Sequence, residues 1–439
     1  MVINKFRMVD LIAKKKNGEA HSKEEIQYII NGVTNNTIPD YQLSAWLMAV
    51  CLQGMTFDES AILTLEMANS GDILDLSALG EYVIDKHSTG GVGDKTTLIL
   101  IPLLAAAGLP VAKLSGRGLG HSGGTIDKLE SIPNFKTSLE LDEFLDQVKS
   151  TGAAIASQTA HLAPADGRLY ALRDVTATID SIPLIAASVM SKKIAAGANV
   201  IVLDVKCGKG AFIKTPEDAQ KLSETMVEIG KRLNKSVTCV VTSMEQPLGN
   251  TVGNSLEVLE SIQTLKNEGP EDLKELCLYL GAIALVKSHK ASDINSAKDI
   301  LNKHLTDGSA YNKFKELVKA QNGDTSAIDN PEKLPTAKYI IEYKSDKNCY
   351  IAELDALIIA KGCKILGAGR ERKEDSIDHA VGIVVNKKIA DKVNSGETLA
   401  QIHTNNEELG QQALDIIKKA YKFSDTQPDQ PKLIYEIIE

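Results

Sequence analysis

Between Lys86 and Glu130 the chain reads KHSTGGVGDKTTLILIPLLAAAGLPVAKLSGRGLGHSGGTIDKLE, two glycine-rich turns joined by one apolar helix and one strand. Apolar Val83 and Ile84 predict a short strand that delivers the chain into the first turn, His87 to Gly93. Residues 96–107 read as a buried helix, 109–114 as a second strand and 115–125 as the second turn. Glycine lets a backbone turn with positive φ and approach a ligand closely, while hydroxyls and free N–H groups point inward. A dianion such as phosphate needs several donors and some positive charge. Lys86, Ser88, Thr97, Lys113, Ser115 and Thr125 supply both, and the helix after the first turn adds its N-terminal N–H groups. Either turn alone reads equally well as a strand-to-helix loop with glycine for geometry and hydroxyls for capping. Two of them at this spacing point to an anion site.

At 439 residues the chain has room for two or three domains with substantial cores. A net charge of −9 leaves no basic field for nucleic acid or an anionic membrane, so a phosphate site has to come from local geometry. No apolar run approaches a membrane span and no signal-peptide core follows the first basic residues, which leads to the expectation of a cytoplasmic protein. Cys51, Cys207, Cys239, Cys277, Cys349 and Cys363 are scattered without metal-ligand spacing, as reduced thiols would be.

Residues 1–70 are predicted to be helical, with Ser22 and Glu25 spaced as a capping box. The stretch LSAWLMAVCL, from Leu43 to Leu52, is apolar on nearly every side, so it is buried in a core or against a second subunit. From 80 to 155 strands alternate with helices, the signature of a parallel sheet whose ligands sit beyond the strands' carboxyl ends. Residues 160–195 turn helical again, carrying Arg168, Tyr170, Arg173, Ser188, Lys192 and Lys193. The run NVIVLDV, from Asn199, is the clearest strand, and helix and strand alternate again before helices continue to about 325. Residues 335–439 have short strands between turns. No repeat is present.

SGRGLGHSGGTIDKLE, from Ser115, resembles the hallmark segment of the thymidine and pyrimidine-nucleoside phosphorylases, and KHSTGGVGDK, from Lys86, resembles that family's phosphate loop. The likeness extends along nearly the whole chain. It implies a helical domain formed by residues 1–70 with 160–195, an α/β phosphate-binding domain of mixed or parallel sheet (80–155, continued by 197–330), and a β-rich C-terminal domain (335–439). It also implies a homodimer formed through the helical domain. Linkers near 72–80, 155–163 and 195–199 would act as hinges.

The activity implied is reversible phosphorolysis of pyrimidine nucleosides to free base and (deoxy)ribose 1-phosphate, a step of nucleoside salvage with inorganic phosphate as co-substrate and no organic cofactor. Phosphate attacks C1′ of an oxocarbenium-like sugar while negative charge builds on the departing base. Phosphate contacts map onto Lys86, Ser88, Thr97, Ser115 and Thr125, bordered by Lys113. Arg173 and Lys192 would donate to a pyrimidine carbonyl and Ser188 would pair with ring N3, with Tyr170 and Phe212 flanking the base. His87 is the acid candidate, since its reference pKa permits proton donation near neutral pH, and the competing reading is a neutral histidine that orders the loop. His121 reads as structural. Lys86→Ala and Arg173→Ala are each expected to abolish turnover with the fold intact.

Some family members hold a monovalent cation beside the phosphate loop. The positions here are Gly93, Lys95, Leu248, Thr251 and Glu260, offering backbone carbonyls and one carboxylate to K+. Lys95 stands where some members have a hydroxyl residue, which matters little if only its carbonyl binds. Three other functions stay open: a thymidine-restricted phosphorylase, an anthranilate-type phosphoribosyltransferase, which needs magnesium and typically lacks a domain like 335–439, and a catalytically silent nucleoside binder.

Overall fold

The computed structural model describes residues 6–118, 123–159, 161–370, 372 and 375–439. Four helices open the chain: α1 (Met8–Lys16), α2 (Lys23–Thr34), α3 (Asp40–Gln53) and α4 (Phe57–Ala68). The Ser22–Glu25 capping box forms on α2, and a second one, Thr56 with Glu59, starts α4. In α3 the nearly all-apolar surface divides. Leu43, Trp46, Leu47 and Val50 are buried, whereas Tyr41, Met48 and Leu52 remain exposed along the opposite face.

An α/β unit follows: β1 (Ile84–Ser88), α5 (Thr96–Ala106), β2 (Val111–Ser115), α6 (Thr125–Leu129), α7 (Leu141–Thr151) and β3 (Ala153–Ser157). The chain then returns to the first helices with α8 (Pro164–Val175) and α9 (Ile182–Ala195). Ala165, Leu169, Leu184 and Ala187 from this pair share one core with Ile26, Ile29, Leu43 and Trp46. Three linkers run side by side, with Asp72 N donating to His161 O (2.9 Å), Leu74 N to Ala195 O (2.8 Å) and Asn199 N to Val83 O (3.3 Å).

The sheet resumes with β4 (Val200–Cys207), α10 (Pro216–Arg232) and β5 (Ser236–Ser243). Next come β6 (Thr251–Gly253), α11 (Asn254–Leu265), α12 (Glu271–Lys287), α13 (Ile294–Thr306), α14 (Ser309–Ala320) and α15 (Ser326–Asp329). The last stretch holds β7 (Tyr339–Lys344), β8 (Cys349–Leu354), α16 (Ala356–Leu366), β9 (Gly382–Val385), β10 (Lys392–Val393), β11 (Thr398–Thr404), α17 (Glu407–Ile417), β12 (Tyr421–Ser424) and β13 (Ile434–Ile438).

The central sheet has the order β13-β5-β4-β1-β2-β3, with β1 to β5 parallel and β13 antiparallel at the edge. Helix α5 is apolar all round because it is enclosed, packed among α11, α12 and α14 over one face of the sheet. Two pairings cross the expected boundary at 335. Strand β6 leaves the α/β segment to pair with β9, and β13 comes back to pair with β5. Residues 434–438 therefore complete the central sheet. Two small sheets, β6-β9-β11-β7 and β10-β8-β12, carry helices α16 and α17, so the C-terminal part mixes helix with strand. The buried cores of the α/β and C-terminal parts are continuous.

Candidate active site

Strand β1 runs IDKHS from Ile84, with charged residues inside a central strand, and side chains alternate between the faces of a sheet. Lys86 and Ser88 take the face of α5, where Lys86 donates to Thr96 Oγ1 and lies 3.8 Å from Asp204 Oδ2 and 4.0 Å from Asp94 Oδ1. Asp85 takes the other face, and Lys193 of α9 reaches it at 2.8 Å. His87, two residues on, shares that face with Asp85. One strand thus serves two domains.

On the α5 face the charges balance. Lys206 pairs with Asp204 at 2.8 Å, and Thr242 donates to the same carboxylate at 2.6 Å. Burial raises the pKa of Asp94, but Lys86, Lys206, Lys128 and the Ser88 hydroxyl outweigh it, and the carboxyl sits well below its ordinary range. Lys128 bridges the Asp94 carbonyl and Glu257, each at 2.7 Å. The turn is stapled to β4, with Thr89 N donating to Asp204 O (3.1 Å) and Lys206 N to Thr89 Oγ1 (2.9 Å). Gly93 has φ +70°, and a Cβ on it would lie 2.6 Å from Leu248 O, so glycine is required there.

The predicted phosphate residues lie near the carboxyl ends of the strands and the starts of the helices that follow. Lys86 and Ser88 lie toward the carboxyl end of β1, Ser115 ends β2, Thr97 is in the first turn of α5 and Thr125 opens α6. Lys113 is buried and directed to Asp85 at 2.9 Å, so this lysine is engaged by a carboxylate rather than presented by the turn. Burial would raise the Asp85 pKa, yet Lys113 and Lys193 together hold it lowered. Burial and the nearby Lys193 and Lys86 press the Lys113 ammonium below its ordinary value, against the pull of Asp85. His121 lies outside the described residues.

His87 is placed differently from its reference behaviour. Burial first, then the charges of Lys193, Lys113, Lys86 and Lys192, hold its pKa well below 6.5. These influences favour the neutral imidazole over a standing imidazolium.

The base-side residues sit on α8 and α9. Ser188 and Lys192 share a helix face: Lys192 Nζ donates to Ser188 Oγ at 3.1 Å and is gripped by Asp166 of α8. Arg173 is buried, its Nε, Nη1 and Nη2 donating to the carbonyls of Thr178 (3.3 Å), Leu184 (3.1 Å) and Ile179 (2.7 Å). Burial lowers its pKa, and it lies 5.9 Å from the Tyr170 ring centroid. A guanidinium has five N–H donors, so three ordering the α8–α9 turn leave two for a ligand. Phe212 is exposed on the loop after β4, on the α/β side.

Three of the oxygens assigned to a monovalent cation, those of Leu248, Thr251 and Glu260, converge, but around the chain's own ammonium. Lys95 Nζ donates to Leu248 O (3.1 Å), Thr251 O (2.9 Å) and Glu260 Oε2 (2.5 Å) in a buried site. A dissolved cation does not fit beside it, because one carboxylate would face two positive charges out of water. The lysine at position 95 therefore does matter, because its side chain takes the position expected for K+. Asp85 joins the site without a motif of its own, and Lys128 joins it from within the segment TIDKLE without having been singled out, although charges inside the apolar strands IDKH and VIVLDVKC signal paired groups on both sheet faces.

Three family models match. Residues 9–71 match the glycosyl transferase family helical bundle domain, 80–311 the glycosyl transferase family a/b domain and 350–424 the pyrimidine nucleoside phosphorylase C-terminal domain. Fold and site thus define an enzyme of the glycosyltransferase class that transfers pentosyl groups. The solved anthranilate phosphoribosyltransferase of Thermus thermophilus has the same fold over 72% of this chain and 100% of its own, with TM-score 0.59 and 18% identity. The pyrimidine-nucleoside phosphorylase of Geobacillus stearothermophilus is 52% identical over 436 residues, covering 99% of this chain and 100% of its own. Those of Staphylococcus haemolyticus and Staphylococcus aureus are each 51% identical over 99% of this chain and 100% of theirs. The chain belongs to the pyrimidine-nucleoside phosphorylase family.

Proposed function

We propose that this enzyme catalyses reversible phosphorolysis of pyrimidine nucleosides, taking thymidine, deoxyuridine and uridine with inorganic phosphate to the base and the (deoxy)ribose 1-phosphate. The observation that carries it is the split along β1. Lys86 and Ser88 face the glycine-rich turn, and His87 on the opposite face lies in the field of Lys192 and Lys193 from the helical domain. An anion cradle and a set of donors for a departing base anion therefore meet across one strand.

Phosphate would be held by Lys86, Ser88, Thr97, Ser115 and Thr125. Its own negative charge stabilises the cation-like sugar when both are in line. Arg173 and Lys192 would donate to the pyrimidine carbonyl and the Ser188 hydroxyl would accept from the ring N3–H, with Tyr170 beside Arg173 and Phe212 approaching from the α/β side. The dianion offsets part of the lysine field around His87 and raises its pKa, so a proton becomes available to the base only after phosphate is in place. Closure about the three stitched linkers would bring phosphate and base together.

The exposed Tyr41, Met48 and Leu52 on α3 support a homodimer formed through the helical domain. No helix among the described residues is long and apolar enough to cross a membrane, and a cytoplasmic location is part of the proposal. A bound K+ is not, because Lys95 holds its place.

The test is base release from thymidine and from uridine, each with and without phosphate. Phosphate-dependent cleavage of both is expected. Cleavage of thymidine alone would restrict the enzyme to that nucleoside, and no phosphate-dependent cleavage of either would overturn the proposal.

A further inference from the structure

Lys95 is the residue immediately before α5, and its backbone closes the phosphate loop, with Lys95 N donating to Gly93 O at 3.0 Å. Its side chain runs inward to a site built around the ammonium. Three N–H donors meet three oxygens, Leu248 O, Thr251 O and Glu260 Oε2. The Glu260 carboxylate is fixed from its other sides by Asn250 N at 2.9 Å and by Thr251 N and Oγ1 at 3.3 and 3.1 Å. The space is shaped by two glycines. A Cβ on Gly249 would lie 2.4 Å from Glu260 Oε2 and 3.0 Å from Lys95 Nζ, and one on Gly93 would crowd both carbonyls.

We infer that the Lys95 ammonium is a tethered monovalent cation that locks the phosphate loop onto the 248–251 turn and α11, and that this enzyme needs no dissolved monovalent cation. One carboxylate, two carbonyls and a closed space make a site for one unit of positive charge. Lys95 supplies that charge from within the chain, so its local concentration does not depend on the solution. Of the next two residues, Thr96 accepts from Lys86 and Thr97 belongs to the phosphate set, so the position of this ammonium sets the position of the cradle. The inference rests on reading residues 86–97 as the phosphate loop.

The experiment compares wild type and Lys95→Ser in tetramethylammonium buffer and with KCl added at constant ionic strength. It reads both phosphorolysis and, without substrate, the thermal midpoint. Wild type is expected to be indifferent to K+ in both. Lys95→Ser, which leaves the oxygens and opens an ion-sized space, is expected to lose about tenfold in rate or more through loop displacement and to melt lower. K+ should restore both. Saturable activation or stabilisation of wild type by K+ would overturn the inference, and this holds even if Lys95→Ser does not fold. A folded variant as stable and active as wild type without K+, or a loss that no monovalent cation restores, would overturn it too. If the phosphorylase reading alone is wrong, the K+-dependent midpoint of the variant survives while nucleoside cleavage is absent from every sample.

Discussion

Asp166 on α8 grips the ammonium of Lys192 on α9, and the same ammonium reaches Ser188 Oγ at 3.1 Å, one turn back along its helix. The two groups assigned to the base are therefore held in register by a carboxylate that is not itself assigned to the substrate. Asp166→Asn keeps the shape and removes the charge that aims Lys192. The expected outcome is a fall of about tenfold in kcat/KM for nucleoside, roughly 1.4 kcal/mol of transition-state stabilisation. Steady-state kinetics at saturating phosphate checks it, and the KM for phosphate should stay near that of wild type.

Lys86 reads from the sequence as removable without harm to the fold, and its surroundings say otherwise. It is buried between Asp94 and Asp204. Lys86→Ala leaves those carboxylates undercompensated, which typically costs about 3 kcal/mol. The variant should lose turnover and also unfold at lower urea. Unchanged urea stability would show that water or Lys206 replaces the missing charge.

Arg173 carries a second structural duty as the donor to three carbonyls of the α8–α9 turn. Arg173→Ala should abolish turnover and speed amide hydrogen exchange in residues 176–184, because buried carbonyls then lack donors. Arg173→Lys should rescue neither fully, since an ammonium cannot span the three positions.

His87 should titrate below its reference value of 6.5 in the free enzyme, because burial and four lysines oppose its charge. Its folded-state pKa lies below the unfolded one, so it costs stability as pH falls through about 6.5, where the unfolded chain takes up the proton first. Carbon-13 histidine NMR, assigned by the signal lost in His87→Gln, should show neutral imidazole at about pH 6.5 and a higher pKa once phosphate is added. A free-enzyme titration at or above the reference value would contradict this electrostatic picture.

Leu52 is 75% exposed on α3, beside Met48 and Tyr41. If this face joins two copies, Leu52→Glu should shift the sedimentation coefficient from dimer to monomer at low protein concentration, with the secondary structure unchanged.

Much of the fold is legible along the chain because its signals are local. The glycine-rich turns, the apolar helix before Ala107, the Ser22 capping box and the run VIVLDV each depend on residues within a few positions of one another, and the corresponding elements form. Strand β13 escapes such a reading because its partner β5 lies almost two hundred residues earlier, and β6 because three residues between a turn and a helix carry no period of their own.

The residue types of the site, and the family likeness that KHSTGGVGDK and SGRGLGHSGG carry, were set by the linear order alone. Their roles were settled by which charges the fold brings together. Lys113 and Lys86 look alike in the sequence, yet one is turned to Asp85 and the other to Asp94 and Asp204. The His87 pKa is lowered because the fold buries the ring and then brings lysines from β1, β2 and α9 around it. Lys95 reads from the sequence as a backbone ligand of K+, and only the fold closes Leu248, Thr251 and Glu260 around its side chain. Electrostatic interactions act through space between groups distant in the chain, so no local pattern encodes them.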